Sequence, residues 1–141
     1  MIKLDKDYAP IQPNDIENVE NLIGAKLPGD YTKFMLEFNG GSVPFGKEYY
    51  YIVNEIPLDF ARFHQIKYGN DSLETYFNHK HGFLYPNLIT IGSIVGGKLA
   101  MRIKGDAYGA IYVYYSDTEP EKIADSFTDF VNGLVVSDAD F

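Results

Sequence analysis

Cysteine is absent from the 141 residues, which excludes disulfide cross-links, thiolate zinc sites and a cysteine nucleophile. The absence agrees with a reducing compartment. Long hydrophobic runs are missing as well: nowhere do about eighteen apolar residues follow one another, as a membrane-spanning helix requires. The first seven residues, MIKLDKD, carry acids where a signal peptide would have an apolar run. These observations lead to the expectation of a cytoplasmic protein with no membrane partner. Basic residues are scarce, 12 Lys and Arg against 20 Asp and Glu, for a net charge of −8 and a pI near 4.7. That balance opposes binding to a phosphate backbone, so no nucleic-acid partner is expected; it suits a basic protein partner or simple solubility. No internal repeat or low-complexity segment divides the chain, and its composition is that of an ordinary globular protein. A single domain over residues 1–141 is expected.

The most strongly patterned stretch is residues 88–115. Within 98–103, Leu99, Met101 and Ile103 fall on one face and Lys98, Ala100 and Arg102 on the other, the period of a half-buried strand. Ile111, Val113 and Tyr115 continue that apolar face after a reversal at Gly105-Asp106-Ala107-Tyr108-Gly109. Residues 88–91 would form a third strand, joined through the glycine-bearing segment 92–97. Strands that pair in sequence without a helical crossover make an antiparallel meander.

Helices flank this sheet. Asn14 with Glu17 has capping-box spacing and predicts a helix with Ile16, Val19 and Ile23 on one face, ended by Gly24. A second helix starts at Pro28, with Tyr31, Phe34, Met35 and Phe38 as its buried stripe, and stops at Asn39-Gly40-Gly41. Residues 49–53 suit a strand, 54–57 interrupt, and 58–68 fit neither period, leaving helix and strand both open there. Asp71 with Glu74 predicts a short helix carrying Leu73, Tyr76 and Phe77 and ended by Gly82. Ser126 is placed to cap a final helix with Phe127, Phe130, Val131 and Leu134 on its buried face, and Gly133 either weakens or closes it. The core should therefore bring Leu99, Met101, Ile103, Ile111 and Val113 against Phe127, Phe130 and Val131. Residues 137–141 read as a poorly ordered acidic tail.

Taken in order, Leu27-Pro28-Gly29-Asp30-Tyr31, the aromatic helix closed by Asn39-Gly40-Gly41, Ile91-Gly92 at the meander, and Ile123-Ala124-Asp125-Ser126-Phe127-Thr128-Asp129-Phe130 form a series. This series resembles the SUKH superfamily over most of the chain. The resemblance implies an α+β domain, with a mainly antiparallel sheet, two N-terminal helices and a C-terminal helix. Pro28, Gly40, Gly41, Gly92 and Phe127 would set its turns and packing. It also implies a non-enzymatic binding protein, since the family includes bacterial immunity proteins that neutralise toxin domains and a fungal regulator of cell-wall synthesis. The expected partner is a cognate toxin domain, a basic nuclease being one candidate. The alternatives are an intracellular adaptor or regulator that binds host proteins, and a small hydrolase using the acidic turns.

His79-Lys80-His81 suggests a metal, but residues two apart point to different sides of a helix and no third ligand stands at a recognisable spacing. His64 stands among aromatic residues with no nucleophile to serve. Residues 93–98, SIVGGK, lack the spacing of a phosphate loop and read as a hairpin turn. Asp106, Asp117, Glu119 and Glu121 do not reproduce a calcium loop and suit turn chemistry. No cofactor and no metal are expected. Alternating tyrosines in 49–51 and 112–115 must face opposite ways, so some leave the core unless helices cover the outer face. Tyrosine offers contact area with little entropy loss. Glu48, Tyr50, Asp106, Tyr112 and Tyr114 are thus the candidate partner contacts.

Overall fold

In the computed structural model, which describes residues 2–80 and 82–139, Pro13 opens helix α1, Pro13–Ile23. Its missing N–H costs nothing at the first helical position. The N-cap is Gln12 and not Asn14: the Asp15 carboxylate reaches back to accept from the Gln12 backbone N–H at 2.9 Å. Proline moved the start two residues upstream. Gly24 ends the helix as expected, and α2 follows over Gly29–Phe38.

The left-handed cap of α2 is taken by Asn39 itself, at φ 48. Asparagine tolerates that region better than most residues, and here its side chain adds a second role. The amide is buried and imitates a strand neighbour: its oxygen accepts from the Ile66 N–H at 2.8 Å, and its nitrogen donates to the Ile66 carbonyl at 3.1 Å and to the Ala9 carbonyl at 2.9 Å. Asn39→Ala should therefore orphan a buried backbone donor and cost about 2 kcal/mol. A denaturant midpoint matching that of the unchanged protein would refute this role.

The strands are β1, Gly41–Ser42; β2, Lys47–Val53; β3, Ile56–Phe63; β4, Leu88–Ile94; β5, Gly97–Arg102; β6, Ile111–Tyr114; β7, Glu121–Ala124; and β8, Val135–Asp138. Helix α3, Leu73–His79, lies between β3 and β4, and α4, Phe127–Gly133, between β7 and β8. The sheet runs β7-β6-β5-β4-β3-β2-β8, with β1 against β3, and every pairing described is antiparallel. The fold is α+β, and residues 88–114 form the expected meander. Its first strand runs on through Gly92 and Ser93 to Ile94, so the turn is confined to Val95-Gly96.

The segment left open by its periodicity is a strand. Asn54 and Glu55 both adopt positive φ, 49° and 70°, and turn β2 tightly back into β3, whose first residues are Ile56 and Pro57. A bulge between Phe60 and Arg62 then lets both Phe60 and Phe63 face the core although they are three residues apart. Three further strands, β1, β7 and β8, were not expected. The residues read as a loose tail include Ser137 and Asp138, which pair with Glu48 and Lys47 in β8. The Lys47 ammonium meets Asp138 at 2.6 Å and the Ala139 N–H donates to the Gly46 carbonyl. Asp140 and Phe141 lie outside the described residues.

Helices α1, α2 and α4 cover one face of the sheet. Ile16, Val19, Tyr31, Phe34, Met35, Phe127, Phe130 and Val131 join Leu99, Met101, Ile103, Ile111 and Val113 in one buried cluster, as the strand and helix periods foretold. Ser126 caps α4 by accepting from the Asp129 N–H, and the helix closes at Gly133. Gly92 permits the close approach of β3 to β4: a Cβ there would stand 2.4 Å from the Arg62 carbonyl oxygen.

Candidate functional site

The face of the sheet away from α1, α2 and α4 carries Tyr50 of β2 and Tyr112 and Tyr114 of β6. Alternation settles the choice in β2, because Tyr49 is buried and Tyr51 stacks on Phe130 at 4.9 Å, so Tyr50 must point the other way. The N-terminal helices do not cover this outer face. Part of it is covered instead by α3 and the segment before β4, which form a second small core of Leu88, Ala100 and Tyr114 with Tyr85 and Tyr112 against it. Tyr114 is only 5% exposed. Its hydroxyl meets Thr90 Oγ1 at 2.8 Å and the Tyr76 hydroxyl at 3.3 Å, and burial holds the phenol well above its ordinary pKa.

Tyr112 lies half-buried beside Arg102, whose Nε donates to its hydroxyl at 3.1 Å. The guanidinium also sits 5.2 Å from the ring centre. Asp106 is exposed on the turn between β5 and β6. Glu48 and Tyr50 belong to the other end of the sheet. Between β6 and β2 stand β5, β4 and β3, four strand spacings or about 19 Å. The five residues singled out in the sequence thus form two groups that do not meet.

Around Tyr50 the outer face is bare. Its cross-strand partners are Asp59 of β3 and Val135 of β8, and Ile52 stands two residues along, opposite Pro57. Ile52 is 52% exposed, and Glu48 and Asp59 are exposed too. The result is an apolar and aromatic strip with carboxylates beside it. Asp59 and Val135 carry no signal in the sequence, because β3 has no clean period and Val135 lies between the stripe of the last helix and the tail expected from residue 137; the alternation of β2 alone places Ile52.

The other end of the molecule is also acidic. Asp125 is held by Lys122 at 2.6 Å, whereas Asp117, Glu119, Glu121 and Asp129 have no cation within 4 Å among the described residues. Among those residues no group of three or more His, Asp or Glu side chains could hold a metal ion. His79 is exposed at the end of α3, and His81 lies outside the described residues.

An antiparallel sheet with three helices on one face and a short helix on the other defines an α+β domain of the SUKH type. The family description SMI1/KNR4 (SUKH-1) matches residues 10–133, and the chain belongs to that family, a family of immunity proteins. No curated relative matches the sequence. Among the described residues no helix is long and apolar enough to cross a membrane.

Proposed function

We propose that this protein is a cytoplasmic immunity protein that binds a cognate toxin domain and neutralises it without any reaction of its own. The family match over residues 10–133 carries this reading. Charge supports it: a chain of net −8 is drawn to a basic partner, and a nuclease toxin is basic because its substrate is a polyanion. Glu48 and Tyr50, with Asp59 beside them, would form one contact patch, and Asp106 with Tyr112 a second. Tyr114 would support Tyr112 from behind, since too little of it reaches the surface to form a contact of its own.

Co-expression with the toxin encoded beside it tests the reading. Cells should survive, and the two proteins should co-purify. The combined change Glu48→Lys and Tyr50→Ala should weaken the complex about tenfold or more while leaving the fold intact. Association should slow as salt rises past about 0.15 M, where the screening length is about 8 Å. Cell death at the same rate with and without this protein, with no complex in pull-down, would leave the adaptor reading in its place.

A further inference from the structure

Beneath α3, and apart from both patches, lies a cavity of about 420 Å³. One wall is the outer face of β3, β4 and β5, presenting Arg62, Ser93 and Lys98, with His64 just past the end of β3; the other is Thr75, Tyr76 and His79 of α3, and the cleft between them is open to solvent along the exposed Thr75 and His79. The volume is that of a small-molecule site and exceeds what one bound ion needs.

Two of its polar groups hold buried nitrogens without a partner among the described residues, the His64 ring and Arg62 Nε. His64 is 6% exposed and stacks on Tyr76 at 5.7 Å, yet neither ring nitrogen has a hydrogen-bond partner. Such a ring is destabilising unless something else in the cavity bonds to it. Arg62 gives one terminal nitrogen to Asp71 at 2.8 Å and the other to Gln65 at 2.6 Å, and its buried Nε has no partner. Lys98 has no carboxylate within 4 Å among the described residues; its ammonium lies 5.4 Å from the Tyr76 ring centre, and Lys80 approaches the same ring at 5.7 Å.

The sign of the charge selects the ligand. Asp71 is the one acid among the lining residues, and its carboxylate is taken up by Arg62, Gln65 and the Tyr8 hydroxyl. Gln65 first, then Arg62, hold its carboxyl down at about 2. Lys98 is left as surplus positive charge inside a protein of net −8, so a metal cation is repelled and an anion attracted. We propose that this cavity binds a small molecule bearing an oxyanion, its oxygens accepting hydrogen bonds from Lys98, from a ring N–H of His64 and from Arg62 Nε. Ser93 stands opposite Lys98 in the β4–β5 ladder and offers a hydroxyl at the same depth. The proposal does not depend on the immunity reading.

The imidazole C–H resonances of His64 in the full chain report occupancy directly. Inorganic phosphate is the first probe and acetate the second, each added at constant ionic strength. Phosphate should shift the His64 signal saturably with a Kd of about 1 mM. It should also raise the His64 titration midpoint by about one unit, because an adjacent anion favours the imidazolium. Lys98→Met, at a half-exposed position, should fold normally and weaken binding about tenfold. Saturation by acetate alone would identify the ligand's anion as a carboxylate. No saturable shift with either probe, or unchanged affinity in Lys98→Met, would show that the cavity holds only water and overturn the proposal.

Discussion

Phe127→Ala should lower the unfolding free energy by about 3–5 kcal/mol, a large part of the roughly 5–15 kcal/mol that holds a domain of this size together. Phe127 is the first residue of α4 and is 2% exposed. Its ring centre lies 5.2 Å from that of Tyr31, 5.1 Å from Phe34 and 5.1 Å from Phe63, so it joins α2 and β3 to α4 in a mostly edge-on cluster. Because the Ser126 cap fixes the position of α4, the helix cannot slide to fill the space, and the cavity would persist. Urea denaturation followed by far-UV circular dichroism measures this. A midpoint that moves by less than the equivalent of about 1 kcal/mol would mean that the cluster collapses around alanine.

Stability should also fall by about 3 kcal/mol as pH drops from 6.5 to 4, owing to His64. Burial, then the Arg62 guanidinium and the Lys98 ammonium, push this histidine down from 6.5 to about 4 in the folded protein, against a smaller opposing pull from Asp71. Between those values the unfolded chain binds a proton that the native state refuses, so stability rises with pH across the window. Above 6.5 both states are neutral and the dependence vanishes; below about 4 both are charged and the penalty is constant. Asp71 and Asp138, both lowered from 3.8, act below that value and do not overlap the window. Denaturation series in buffers free of phosphate and carboxylates should show the slope, and His64→Asn should abolish it. An equal slope in the variant would assign the dependence to other groups.

How much of this was legible in the residues depended on whether a local period survived. The meander could be read because Leu99, Met101 and Ile103 alternate without interruption and their ladder partners do the same. In β3 the bulge converts a period of two into the three-residue step from Phe60 to Phe63, which is indistinguishable in sequence from a helical stripe. β7 and β8 have only four residues each, too few to show a period, and β8 holds its place by pairing with β2, far away in the chain. For the candidate contacts, alternation correctly put Tyr112 and Tyr114 off the main core. It could not show that α3 folds over Tyr114. The cavity joins residues 62–64, 75–79 and 93–98, and no spacing within any of these pieces announces the others.

The order of the strands has a consequence for how the molecule is made. From β2 to β7 each strand lies beside its predecessor in the chain, so as the polypeptide leaves the ribosome each can zip onto a neighbour already present. β8 breaks that rule by returning to β2 at the far edge, and α4, which brings Phe127 and Phe130 to the core, emerges only just before it. A nascent chain halted after β7 would therefore expose both an apolar sheet face and an unpaired edge at β2, the two surfaces that recruit chaperones or seed aggregates. Arrival of α4 and β8 would cover that face and pair that edge together.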